Sequence, residues 1–63
     1  MNLDDLWKKR KSTSHVAKRY GRDGIYLALG HDSPTIAIKA TENKQPLTSE
    51  DRDADDWYEA EEP

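Results

Sequence analysis

The chain has 63 residues, with 13 Asp and Glu against 10 Lys and Arg and no cysteine. That allows one small domain with a thin stability margin, and it excludes disulfides, thiolate metal sites and thiol nucleophiles. No apolar run approaches the roughly 20 residues of a membrane span, and the start, acids followed by a Lys/Arg block, lacks the apolar core of a signal peptide.

A soluble, intracellular protein is therefore expected. Its two histidines, His15 and His31, cannot form a structural zinc site without carboxylate help. Domains this small usually need a staple, and with disulfides excluded oligomerisation is the favoured one. Charge is unevenly placed: residues 1–22 hold seven Lys/Arg against two Asp, and residues 50–63 hold eight Asp/Glu against one Arg. That asymmetry suits head-to-tail or intermolecular pairing, and the net charge of -3 disfavours a simple nucleic-acid binder.

In chain order, "NLDDLWKKRK" reads as a helix. Asn2 is the N-cap, Asp4 and Asp5 fill the first turn and Lys8 to Lys11 the last, which complements the helix dipole. Leu3, Leu6 and Trp7 form one apolar stripe that must dock on a sheet, because so short a helix does not stand alone. "STSHVAKRY" suits an exposed strand, with Val16, Lys18 and Tyr20 alternating with His15, Ala17 and Arg19. "GRDG" at 21–24 is a turn. "IYLAL" follows as a strand, with Ile25, Leu27 and Leu29 on one side and Tyr26 and Ala28 on the other. After "GHDSP", "TIAIKA" alternates again, and it is expected to form a hairpin with the preceding strand, Ile36 and Ile38 facing inward. Thr48 and Asp51 suit a capping-box start for a helical turn over 49–54, and "DWYE" returns as a short strand. The order predicts an α+β domain over 1–58: an N-terminal helix followed by a small antiparallel β-sheet, a short helical turn and a last short strand. Residues 59–63 are expected to be an acidic, frayed tail.

Several constellations invite a chemical reading. Asp51, Asp53 and Asp55 occupy the first three ligand positions of a calcium loop and Glu62 the twelfth. Asp56 stands where that loop needs glycine, and no helix can follow Pro63, so no metal site is expected. "VAKRYGRDGIYLAL" is too short after Gly21 for a recognition helix. His15 or His31 beside an acid, or Ser33 two residues from His31, does not make a triad, and no enzyme is expected. The glycines do not follow the dinucleotide pattern. Arg19, Arg22 and Lys39 remain phosphate partners, and Tyr20, Tyr26, Trp57 and Tyr58 remain base-stacking partners. A Trp on a terminal strand is expected in the core, with its edge reaching a pocket.

Taken together, "GIYLAL", "IAIKAT", Pro46 and "TSEDRDADDWYE" resemble the Thoeris anti-defence protein two family of small phage proteins. That family shows G-[MI]-Y-L-x-L, then I-x-M-K-T, then P-W, then S-x-x-D-x-x-A-[DE]-D-W. Thr48, Asp51, Ala54, Asp55, Asp56 and Trp57 fall on the last motif, and Gly24, Ile25, Tyr26, Leu27 and Leu29 on the first. Ile36, Ile38 and Lys39 fall on the second. Tyr20 stands in place of a usual Trp, Arg52 and Asp53 replace an apolar pair, Leu47 replaces an aromatic, and the "GHDSP" loop is shorter.

The resemblance implies a non-enzymatic phage protein acting in the host cytoplasm against an immunity in which a TIR-domain enzyme turns NAD into a cyclic ADP-ribose signal. Such proteins bind the signal without cleaving it, between protomers of a homo-oligomer, a dimer or tetramer here. A pyrophosphate needs Arg, Lys or backbone N–H groups, a purine needs an aromatic face, and the carboxylates of Asp51 and Asp56 suit ribose hydroxyls. The expected ligand-binding set is Tyr20, Arg22, Tyr26, Lys39, Asp51, Asp56 and Trp57, with no cofactor. The alternative is a phage inhibitor whose acidic C-terminal segment occupies a basic host protein, and a small DNA-binding regulator comes third.

Overall fold

The computed structural model describes residues 1–62, the side chain of Asp23 excepted. Its elements are α1 (Leu3–Lys9), β1 (Val16–Arg19), β2 (Arg22–Ala28), α2 (Pro34–Thr41), α3 (Ser49–Asp53) and β3 (Trp57–Ala60). The three strands form one antiparallel sheet in the order β2-β1-β3, with β1 in the middle. The architecture is α+β, with an N-terminal helix, a small antiparallel sheet, a short helix and a last strand.

α1 starts where its end chemistry places it: Asn2 Oδ1 accepts from the Asp5 N–H at 2.8 Å, and Leu3, Leu6 and Trp7 are buried. Trp7 keeps its indole polar atom satisfied by donating Nε1–H to the His31 carbonyl at 2.8 Å. The chain then enters β1, which pairs with β2 through Val16↔Ala28, Ala17↔Leu27 and Lys18↔Tyr26. The turn sits at Tyr20–Gly21, one step earlier than the expected "GRDG", and β2 begins at Arg22. The register breaks between Lys18 and Arg19, because Arg19 pairs with Arg22. The extra β2 residues bulge, and Gly24, at φ 88, supplies the positive φ that a side chain resists.

"TIAIKA" is the correction. It is not a strand but most of helix α2, so the hairpin is β1–β2, and β2 has no partner in residues 35–40. Ser33 Oγ caps the helix by accepting from the Ile36 N–H at 3.3 Å, and Pro34 sits in its first turn, where a missing N–H costs nothing. Thr41 Oγ1 donates back to the Ala37 carbonyl at 3.1 Å. Helical spacing buries Ala37 completely, leaves Ile38 packed against the core, and turns Ile36 out at 48% exposure.

α3 carries the expected capping box: Thr48 Oγ1 accepts from the Asp51 N–H at 3.2 Å, and Asp51 Oδ2 accepts from the Thr48 N–H at 3.1 Å. β3 then returns beside β1, pairing Lys18↔Tyr58 and Arg19↔Trp57. It runs through Glu59 and Ala60, so two residues of the expected tail belong to the sheet. Glu59 accepts from the Lys11 N–H at 2.9 Å and the Ser12 N–H at 3.1 Å. The C-terminal strand is thus tied to the segment after α1 through backbone amides. Glu61 and Glu62 are exposed, and Pro63 lies outside the described residues.

Partners across an antiparallel ladder share a face. One face carries Ala17, Leu27 and Trp57, which join Leu3, Leu6, Trp7, Leu29, Ala37 and Leu47 in a single core. β2 is an edge strand, and the Tyr26 N–H donates to Gln45 Oε1 at 2.8 Å. Among the described residues no helix is long and apolar enough to cross a membrane.

The helical assignment of α2 has a direct check by urea denaturation. Ile38→Ala is expected to cost about 2 kcal/mol, as for a half-buried core side chain, whereas Ile36→Ala is expected to stay within about 0.5 kcal/mol. Equal losses at the two positions would restore the strand.

Candidate functional site

Alternation along β1 points Arg19 to the same side as Ala17, toward the core. A guanidinium sent inward must find carboxylates, and α3 and the turn after it supply two. Arg19 Nη1 donates to Asp51 Oδ1 at 2.5 Å. Arg19 Nε and Nη2 grip both oxygens of Asp56, at 2.8 and 3.2 Å, in the two-pronged geometry that suits Arg and carboxylate. Arg22 Nη1 lies 3.3 Å from Asp51 Oδ1. The second oxygen of Asp51 accepts from both the N–H and the hydroxyl of Thr48, each at 3.1 Å. Trp57 closes the cluster by donating Nε1–H to the Asp51 carbonyl at 2.9 Å.

The electrostatics follow from these contacts. Burial alone would raise the Asp51 carboxyl, but Thr48, Arg19 and Arg22 outweigh it and hold it below the usual carboxylate value. The Arg19 hydrogen bonds do the same for Asp56, and Arg19 is raised above its ordinary value by Asp56 and then Asp51. Glu59 forms a second knot. Burial would raise it, yet the Lys11 N–H, His15 and the Ser12 N–H together hold it low, with His15 Nδ1 2.6 Å from Glu59 Oε2.

The seven residues expected to bind a ligand fall in three places. Asp51, with no exposed surface, and Trp57, 1% exposed, are inside. Asp56 and Arg22 hold the same cluster, and the Arg22 side chain remains 46% exposed at its edge. Asp51 is committed to Thr48 and the two arginines, so its carboxylate faces no solvent. Trp57 is core, and its edge donates to the Asp51 carbonyl. Lys39 stands on α2 beside Thr35, Ile38, Glu42 and Arg52, along a groove of about 290 Å³. The same Arg52 borders a neighbouring hollow of about 340 Å³ with Asp4 and Asp53.

Tyr20 and Tyr26 occupy the third place, the sheet face turned away from the core. Register puts Lys18 between Tyr26 on β2 and Tyr58 on β3. Tyr20 stacks on Tyr58 with ring centroids 4.3 Å apart and planes at 27°. Tyr20 is 67% exposed and Tyr26 40%. All three tyrosines of the chain are thus on this side, and both tryptophans are buried. Tyr58 and Lys18 belong with the pair that the sequence singled out, and strand alternation is the signal that could have grouped them. Of the three triad candidates, Ser33 caps α2, His15 meets Glu59, and His31 accepts the Trp7 indole N–H through its backbone carbonyl.

No family model matches the chain, and no curated protein or solved structure does either.

Two stability measurements test the cluster. Asp51→Ala leaves Arg19 facing inward without its shortest partner and is expected to cost about 3 kcal/mol. Asp51, Asp56 and Glu59 all have folded values below their unfolded ones. Their contribution is therefore complete above the unfolded carboxylate range near about 4 and is lost as pH falls through the lower folded values. The urea midpoint should hold from neutral pH down to that range and drop below it. Asp56→Asn should make that acid limb shallower, and an unchanged limb would remove Asp56 from the account.

Proposed function

We propose that this chain is a phage anti-defence protein that binds a cyclic ADP-ribose-type nucleotide signal in the host cytoplasm and holds it without cleaving it. The observation that carries the reading is the outward placement of Tyr20, Tyr26 and Tyr58 around Lys18. Aromatic faces stack on a purine, and the Lys18 ammonium among them meets a pyrophosphate. Motif resemblance points the same way: the A-D-D-W stretch spends Asp56 and Trp57 on anchoring the sheet that presents those rings.

An open face covers a small ligand on one side only, whereas bound small molecules usually have 70–90% of their surface buried, as an order of magnitude. A second copy closing over the face meets that need, which makes the working form a homo-oligomer. Sequestration is then stoichiometric: each bound signal molecule is withdrawn from its effector. The chain supplies no step that breaks a bond in this scheme.

Binding to the folded state alone stabilises it by about 2.7 kcal/mol at a hundredfold excess over Kd. A thermal shift with cyclic ADP-ribose is therefore expected, together with a nucleotide released on denaturing protein purified from cells producing the signal. Neither effect at roughly millimolar ligand would end this reading.

The alternative, an inhibitor of a host protein acting through acidic residues, rests on the exposed Glu61 and Glu62. Its test is deletion from Glu61 onward, because Glu59 is tied to Lys11, Ser12 and His15 and its removal would perturb the fold. Loss of anti-defence activity in a folded deletion would favour this alternative.

A further inference from the structure

We infer that the tyrosine face is a platform for single-stranded nucleic acid, with successive bases stacking on Tyr26 and on the Tyr20–Tyr58 pair and the intervening phosphate meeting Lys18. The inference rests on the base-stacking reading above and extends it from a small nucleotide to a polymer.

Three features of the face carry it. First, Tyr26, Lys18 and Tyr58 are register partners across β2, β1 and β3, so the row crosses all three strands. At the usual strand spacing the two rings stand about 10 Å apart with the cation between them. Tyr20, stacked on Tyr58, lengthens the aromatic end. Sheet-borne aromatics that each take one base of a splayed single strand are a recurrent solution for such recognition.

Second, the charge on this face favours a polyanion. The chain has 13 carboxylate side chains and a net charge of -3, yet the registered positions on this face are Val16, Lys18, Tyr26, Ala28, Tyr58 and Ala60. None of these is acidic, and Lys18 is the single charged group. Third, the row has no end wall: Tyr20 and Tyr26 are exposed at its two sides. A flat row gives a single nucleotide one stacking contact, whereas a polymer adds contacts from ring to ring. Duplex DNA, with its bases already stacked, gains nothing from the rings.

The test is fluorescence anisotropy with a labelled oligothymidylate about eight nucleotides long, within the range of single-strand site sizes. The oligonucleotide is expected to bind and its duplex form is not. Tyr26→Ala should weaken binding about tenfold and Tyr26→Phe should restore it. Because Tyr26 is 40% exposed and Trp7 and Trp57 are buried, tryptophan emission verifies that the variant is folded. Salt dependence separates this face from the basic run of Lys8, Lys9, Arg10 and Lys11. One phosphate neutralised by Lys18 gives a log–log slope of about -0.7, and adhesion to the four-residue run gives about -3.

Equal binding of the duplex, a slope near -3, or a folded Tyr26→Ala that binds as well as the parent would each overturn the inference. Cyclic ADP-ribose and adenosine monophosphate are titrated alongside. Oligonucleotide binding without either nucleotide supports the platform and removes the sequestration reading. Binding of cyclic ADP-ribose without the oligonucleotide does the reverse, and binding of none of them removes both.

Discussion

The structure hangs on one guanidinium. Arg19 sits on the central strand, points to the core side, and joins Asp51 from α3 to Asp56 at the start of β3. Without those two carboxylates a cation directed inward would be costly, and without the cation Asp51 would be a buried charge with Thr48 as its main company. The arrangement does more than balance charge. Asp51 also closes the capping box that starts α3, and its carbonyl receives the Trp57 indole N–H. Helix start, strand start and the largest core side chain are therefore fastened at a single point. In a chain too short for an extensive core, such a junction fixes the relative position of elements that side-chain packing alone would leave loose.

Specificity of geometry, more than net energy, is what a buried ion cluster supplies here. The grip on Asp56 sets how β3 approaches β1, and the Lys18↔Tyr58 register follows from that approach. A slip of one residue would send Tyr58 to the core side and Trp57 to solvent. The placement of all three tyrosines outside and both tryptophans inside depends on that register. Stability and surface chemistry are linked through the same arginine.

How much of this could be read from the residues varies by element. α1 was legible because Asn2, the paired aspartates and the Leu3, Leu6, Trp7 stripe all agree. The start of α3 was legible because a capping box is a local device with a fixed spacing. α2 was misread because Ile36 and Ile38 alternate with small or polar neighbours over a stretch short enough for either period. The arbitrating signal was already in the chain: Ser33 followed by Pro34 is a helix start. The bulge at Gly24 and the register shift beside Arg19 depend on pairing, which no local pattern encodes. Asp51 and Asp56 were conspicuous among the acids, but their role lay with a partner 32 and 37 residues away. Read without Arg19, they suggested ligand acceptors. With it, they are part of the frame.

One small contact bears on how the protein behaves when abundant. The Gln45 side chain takes the Tyr26 N–H on the open side of β2, where another strand would otherwise add. Unsatisfied edge groups template pairing between chains, and that is a common start of aggregation. Covering one of them with an uncharged amide interrupts the row without burying it. A single glutamine thus bears on the crowding the fold can withstand before its copies begin to join edge to edge.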